Sequence, residues 1–374
     1  MLILLILCGA VAALGCALLL RWSRESARRY GEAMPQRFHV GEVPRLGGAA
    51  IFVACTAGWS WLALARYFGV EHHIPFTGTY AATWVFVTLA GAASGVVEDL
   101  THRLPARLRF VSTGLAALLS TVLFGLLVPR TGLAGLDAVW RELPWLQVGI
   151  AVLVMAGLPH AFNLIDGYNG LAATVALICC AAMIHVALQL GDRQLAATLA
   201  VLAGATVGFL LWNYPHGLIF AGDGGAYLWG LVLGICGIQL VQNHAEVSPM
   251  FPVLLLIYPI WEALFSIYRK VARGQSPSLA DALHFHQLIY RRVVRQVFHD
   301  DEVRRVLIRN NRTSPYLWGF TLLTVVPAVI FWRNTPALIA LTVLFIVSYL
   351  WAYHSIVRFR MQRWLRRVRL LYPR

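Results

Sequence analysis

Hydrophobic residues come in long runs along this chain, and the polar residues are confined to the short stretches between them. Eleven runs stand out, at residues 2–20, 46–67, 80–97, 109–128, 145–161, 171–190, 194–212, 226–243, 249–268, 315–332 and 335–356. A hydrocarbon core about 30 Å thick is crossed by about 20 apolar residues of α-helix, so each run is a predicted span. The first run has no basic residues before it, while Arg21, Arg24, Arg28 and Arg29 follow it. It therefore reads as a retained first transmembrane helix, not a cleaved signal peptide. No internal repeat, low-complexity tract or linker divides the chain. The predicted fold is all-α, a polytopic membrane helix bundle of about 11 transmembrane helices forming one domain over residues 1–374.

Composition agrees with this reading. Of 374 residues, 59% are hydrophobic and 13% charged, which is too apolar for a soluble globular domain. The net charge of +14 could point to nucleic acid, but the basic residues punctuate apolar runs and form no patch on a soluble module, so no nucleic-acid partner is expected. When the connections are numbered alternately, one side receives segments 21–45, 98–109, 162–170, 213–225, 269–314 and the tail 357–374. That side holds 26 of the 31 Lys and Arg residues, and the other keeps Arg130, Arg141, Arg193 and Arg333, with Arg66 at a boundary. The positive-inside rule makes the basic side cytoplasmic, with the N-terminus outside and the C-terminus inside. In the long loop 269–314, the stretch Leu283 to Phe298 alternates apolar residues with Arg291, Arg292 and Arg295, the pattern of an interfacial basic helix. The tail, with Arg358, Arg360, Arg363, Arg366, Arg367 and Arg369 around Trp364 and Leu365, is expected on anionic lipid or as a topology anchor. The six cysteines lie in apolar runs without metal-ligand spacing and are read as buried free thiols.

Polar clusters are few, and helix counting puts them all on the basic side. Glu98 and Asp99 end the third run; an adjacent carboxylate pair there can hold a divalent cation or accept a proton, although such a pair is ordinarily a solvated helix end. Asn163, Asp166 and Asn169 are three apart, a spacing that gives one polar face on a helix or tight turn, with Gly167 and Gly170 beside them. A structural turn is the alternative, since Asn, Asp and Gly are common turn residues. Asp223 sits among Gly222, Gly224 and Gly225 just before an apolar run, after Asn213. Glycines ahead of a helix resemble a phosphate cradle, and a carboxylate among phosphates needs a cation between them, so Mg2+ is implied, with Mn2+ as the substitute. His284 and His286 diverge on a helix but point the same way on an extended segment, where they can donate to a diphosphate; a lone pair of this kind is more often a surface feature. Glu262, inside the ninth run, is a costly carboxylate read as a helix-packing or loop-anchoring residue.

Taken in order, these clusters resemble the polyprenyl-phosphate N-acetylhexosamine-1-phosphate transferases, a glycosyltransferase family 4 type that includes the undecaprenyl-phosphate GlcNAc-1-phosphate transferases and the phospho-N-acetylmuramoyl-pentapeptide translocases. Pro44, Arg45, Leu46, Gly47 and Gly48 resemble the family's PRxGG start of the second helix. Glu98 and Asp99, followed by Leu104 to Arg109, resemble its Asp-Asp motif, and Asn163 to Leu171 its N-x-x-D-G-x-D-G-L motif. Asn213, Tyr214 and Pro215 resemble its N-x-P motif, Gly222 to Gly225 its GD-x-G motif, and His284 to His286 its HxH loop, so the likeness runs over residues 44–290. Glu98 stands where the family has Asp, Asn169 replaces the second Asp of the central motif, and Ala226 stands where a small hydroxyl residue is frequent.

The resemblance implies a bacterial inner-membrane enzyme with its active site facing the cytoplasm. Its reaction moves a sugar 1-phosphate from UDP-N-acetylhexosamine to undecaprenyl or another polyprenyl phosphate, releasing UMP and starting a lipid-linked cell-wall or lipopolysaccharide polymer. The implied site has Glu98, Asp99 and Asp223 as catalytic residues, with Asp223 as principal metal ligand and Asp99 assisting. Glu98 would orient or deprotonate the lipid phosphate. Asn163 would bind substrate, Asp166, Asn169 and Asn213 would hold the uridine end, and His284 and His286 would meet the diphosphate. The short HxH loop favours a simple UDP-N-acetylhexosamine donor. Membrane lipid is a further partner, and a homodimer is left open. Two other readings stand beside this one. A secondary transporter would place ionisable groups near the midplane on repeated halves. An inactive scaffold relative would account for the departures at Glu98 and Asn169.

Overall fold

The computed structural model describes residues 1–22, 43–70, 73–276, 283–294 and 301–358. The described residues contain no strand, and ten helices are long and apolar enough to cross a membrane. These are α1 (Leu2–Trp22), α2 (Gly47–Leu64), α3 (Gly78–Thr101), α4 (Ala106–Phe124), α6 (Pro144–Ile165), α7 (Leu171–Gln189), α8 (Arg193–Asn213), α9 (Gly222–Asn243), α13 (Glu302–Ile330) and α14 (Thr335–Val357). Short helices α5 (Ala134–Arg141), α10 (Met250–Leu255), α11 (Ile257–Val271) and α12 (Phe285–Leu288) complete the set. Helix starts follow local chemistry. Thr77 caps α3 by accepting from Tyr80 N, Asp192 caps α8 by accepting from Leu195 N, and Asn334 caps α14 by accepting from Ala337 N.

The bundle is built around α9, in which every residue from Gly222 to Val241 is buried. Helices α2, α3, α6, α7 and α8 pack around it, and α1 packs outside on α2 and α8. The close approach of α2 and α3 to the first turn of α9 depends on missing side chains. A Cβ on Gly48 of α2 would run into the Gly225 backbone, and a Cβ on Gly95 of α3 would lie 2.5 Å from Asp223 C and Gly224 N. Backbones of neighbouring membrane helices approach this closely only at small residues.

Three expectations change. The run at 249–268 is not one helix: it breaks at Leu256 into α10 and α11, with Pro259 in the first turn of α11, where its missing N–H costs no helical bond. Helix α11 buries Tyr258, Glu262, Ser266 and Arg269 while Leu264, Ile267, Tyr268 and Val271 are exposed, so its polar face turns into the protein. Second, residues 302–314, placed in a loop by their polarity, are the first half of α13. Asp301 caps this helix through Val303 N. At 1.5 Å per residue its 29 residues outreach a hydrocarbon core of about 30 Å, and the polar half projects at the end where the basic residues gather. Third, residues 283–294 do not form a surface helix: Phe285, Leu288, Ile289 and Tyr290 are buried in the protein, and the π-helical turn Ile289–Val293 follows α12. Residues 295–298 of that expected helix and 359–374 of the basic tail lie outside the described residues. All six cysteines are buried and free.

Because Gly95 meets backbone on α9, Gly95→Ala should lower the thermal unfolding temperature of the detergent-solubilised protein, by a cost of about 1–3 kcal/mol typical of overpacking. Gly114→Ala on α4, where a Cβ meets nothing within 4 Å, should leave it unchanged or slightly raised. Equal shifts for the two variants would contradict this packing.

Candidate active site

Helix α9 begins without a cap of its own, since Ala221 at its N-cap offers no side-chain bond. The first amides of a helix are unsatisfied and carry partial positive charge. Asp99, from the last turn of α3, fills that place: its Oδ1 accepts from Asp223 N and its Oδ2 from Gly224 N, each at 3.0 Å. Gly222 makes the approach possible. Its φ is +72°, and a Cβ there would collide with Arg45 O and the Asp99 carboxylate. The strand-like segment before α2 closes the other side, with Gly47 N donating to Phe220 O (2.9 Å), Gly48 N to Ala221 O (2.8 Å) and Phe220 N to Pro44 O (2.8 Å). The glycine turn is thus lined by a carboxylate and by backbone partners, and its amides do not form an open phosphate cradle.

Asp223, in the first turn of α9, is the meeting point. Asn163 Nδ2 donates to its Oδ1 at 2.8 Å, and Arg109 Nη1 donates to its Oδ2. Arg45 lies between the two aspartates, 3.8 Å from Asp223 Oδ1 and 3.9 Å from Asp99 Oδ1. Asp166 caps the end of α6 beside this group. Burial pushes its carboxyl up to about 7, with Arg45 pulling down and Asp223 pushing up. Arg45 and Arg109 were quoted only as parts of motifs and given no role. The signal for them is charge balance: buried carboxylates require partners, and both arginines open apolar runs on the side where Asp99 ends one run and Asp223 precedes another.

Glu98 points elsewhere. Its Oε2 accepts from Leu104 N at 2.7 Å, bracing the α3–α4 turn in which His102 adopts φ 54°. The triad spaced by three does not share a face, because α6 ends at Ile165 and the chain turns. Asn163 faces Asp223, and Asp166 follows the last residue of α6. Asn169 is buried against α13, where its Nδ2 donates to Asn311 Oδ1 (2.9 Å) and its N to Asn310 Oδ1 (2.9 Å). The buried Asn169 Oδ1 makes no hydrogen bond among the described residues. Asn213 staples two loops: its Oδ1 accepts from Gly170 N (2.6 Å) and its Nδ2 donates to Ile219 O (2.8 Å).

His284 and His286 do point the same way. His284 is the extended N-cap of α12, and the two rings stack 5.4 Å apart at an interplanar angle of 8°. Glu262 anchors the pair: its Oε1 accepts from Phe285 N (3.0 Å) and lies 3.3 Å from His284 Nδ1, and its Oε2 accepts from Tyr349 OH (2.7 Å). The turn 166–168 joins the two groups, since a Cβ on Gly167 would lie 3.3 Å from His286 Nε2, and Tyr168 meets His286 edge-on at 5.5 Å.

Asp223, Asp166 and the carbonyl end of Asn163 are hard oxygen donors, the chemistry a magnesium ion takes. The described residues offer no cage of three or more His, Cys, Asp or Glu. Mg2+ takes few carboxylates and completes its shell with water and substrate phosphates, so the oxygen donors present are of the type that fits the ion.

Residues 81–241, spanning α3 to α9, match the family described as glycosyl transferase family 4. The chain is 29% identical over 253 residues to a Bacillus subtilis protein named probable undecaprenyl-phosphate N-acetylglucosaminyl 1-phosphate transferase, covering 67% of this chain and 66% of that one. It is 29% identical over 348 residues to the decaprenyl-phosphate N-acetylglucosaminephosphotransferase of Mycolicibacterium smegmatis, covering 84% and 79%. A phospho-N-acetylmuramoyl-pentapeptide-transferase of Chlamydia muridarum is 31% identical over 162 residues, 42% of this chain and 47% of its own length.

Glu262 anchors the histidine loop through three groups, so Glu262→Ala should speed deuterium exchange of residues 284–288 and leave α3 and α9 protected. Losing a buried acceptor costs about 1–3 kcal/mol per unsatisfied donor. Glu262→Gln, which keeps an acceptor for Phe285 N, should restore much of the protection; identical exchange in all three proteins would refute the anchoring role.

Proposed function

We propose that this chain, a member of glycosyl transferase family 4 through its matched central helices, transfers an N-acetylhexosamine 1-phosphate from a UDP-sugar to a polyprenyl phosphate. The observation that carries the reading is the gathering of Asp99, Asp166, Asp223, Arg45, Arg109 and Asn163 at one end of the bundle. The connecting segments on that side carry most of the basic residues of the sequence, and the positive-inside rule supports a cytoplasmic-facing site in a bacterial inner membrane. A transporter would instead concentrate its ionisable groups near the midplane.

In this reaction a lipid phosphate oxygen attacks the sugar-linked phosphorus of the UDP-sugar. A new P–O bond forms, the bond to the bridging oxygen breaks, and that oxygen leaves with UMP. The acceptor phosphate is already largely ionised near neutral pH, so the protein's task is mostly positioning and charge stabilisation. Bound Mg2+, held by Asp223 with Asn163 beside it and Asp99 assisting through its hold on α9, would neutralise diphosphate charge. Arg45 and Arg109, 30% and 22% exposed, keep Asp223 in place and face incoming phosphate. Asp166 and the unsatisfied Asn169 Oδ1 serve the uridine end, and Asn213 holds the loop that carries them. His284 and His286 approach the diphosphate from the other side of Gly167. Glu98 orients the acceptor phosphate from the α3–α4 turn that it braces.

The test is transfer from labelled UDP-N-acetylhexosamines to undecaprenyl phosphate by purified protein, with and without Mg2+, reading lipid product and UMP together. Metal-dependent labelled lipid with equimolar UMP is expected. Asp223→Asn should lower turnover at least about a hundredfold while UDP-sugar binding survives, and wild-type turnover in that variant would defeat the assignment. Glu98→Gln preserves an acceptor for Leu104 N and removes only the charge. It should reduce kcat more than it raises KM; an unchanged kcat would leave Glu98 as a turn brace alone.

A further inference from the structure

Helix α13 lies outside the matched family segment, yet its projecting half touches three loops of the site, at 169–170, Pro215 and 290–294. Arg309 Nε and Nη2 donate to Tyr290 O and Val294 O, and its guanidinium lies 4.1 Å from the Tyr290 ring centroid, which holds the segment after the histidines. Next along the helix, Asn310 Oδ1 accepts from Asn169 N, Ser314 Oγ donates to Asn169 O at 2.6 Å, and Trp318 Nε1 donates to Gly170 O at 3.1 Å. Asn311 reaches two loops at once, accepting from Asn169 Nδ2 at 2.9 Å and donating from its own Nδ2 to Pro215 O at 2.6 Å.

The direction of these bonds is informative. Donors and acceptors run in one sense, from Asn169 to Asn311 to the Pro215 carbonyl. An aspartate at 169 would set a carboxylate against Asn311 Oδ1. Turning the Asn311 amide over would rescue that contact only by setting Oδ1 against Pro215 O. The amide at 169 and the amide at 311 are therefore a matched pair, each Nδ2 of the chain meeting an acceptor.

We propose that Asn311 is a positioning residue of the transfer reaction, acting through Asn169 to fix the turn that receives the nucleotide end of the donor. This rests on the transferase reading. Asn311 does not touch the reacting atoms; it sets the distance between the loops at 166–170 and 213–217. The departure of Asn169 from the aspartate of the family motif is then the half of the pair that lies on the loop, and Asn311 is its partner on α13.

The experiment uses the full-length protein in detergent or nanodiscs. UMP release is followed against UDP-N-acetylhexosamine concentration for wild type, Asn311→Ala, Asn169→Ala, the double variant and Asn169→Asp. Loss of the pair should raise KM for the donor about tenfold with kcat within about threefold, and the double variant should be no worse than the poorer single variant. Asn169→Asp, nearly unchanged in shape, should behave like the alanine variants. Unchanged KM, additive losses, or a fall in kcat alone tracking a lower unfolding temperature would overturn the proposal. Deuterium exchange of residues 166–171 in ligand-free protein gives a second reading that needs no activity, with Asn311→Ala expected to accelerate it. If wild type transfers from no donor, the transferase reading fails, and the exchange result still decides whether the α13 clamp exists.

Discussion

A carboxylate taken from water beside a second carboxylate costs several kcal/mol unless it is bonded on all sides, and Asp99 and Asp223 are held that way at the start of α9. Asp99 is tolerated because two α9 amides and the positive end of the helix dipole face it. Asp223 is tolerated because Arg109, Arg45 and Asn163 surround it. Satisfying both requires four helices to meet at one point, which explains the bare glycines on α2 and α3 and the positive φ at Gly222.

In the proposed reaction, substrate and metal would meet this same charge balance: an ion would compete with the arginines for Asp223, and a phosphate would offer the arginines another anion. The site is pre-organised around opposite charges, and organised charge is the main contribution a protein makes to phosphoryl transfer. Around this centre lies a frame of neutral amides, Asn169, Asn213, Asn310 and Asn311, which fix loops without adding charge. Glu262 does the same for the histidine loop from the far side.

The helices were legible because a lipid-crossing segment has little freedom in composition: ten of the eleven runs correspond to long helices. The polar ends of the elements were not. Asp301 starts α13 thirteen residues before its apolar run, and no hydropathy window sees a cap followed by arginines and asparagines. Glu98, Asp99, Asp223 and the histidines stand out in the sequence as polar groups between apolar runs, but their partners were hidden by sequence distance. Nothing local to Asp99 says that it caps a helix beginning more than a hundred residues later. Asn163, Asp166 and Asn169 were grouped by a helical spacing that fails because the helix stops within the motif.

The measurement that tests the account most directly is a structure of the protein with a UDP-sugar and Mn2+, locating the ion by its anomalous signal. The account predicts an ion bound directly by the Asp223 carboxylate at the start of α9, with donor phosphate completing its shell. An ion held instead by His284 and His286, or a donor bound away from the first turn of α9, would contradict it.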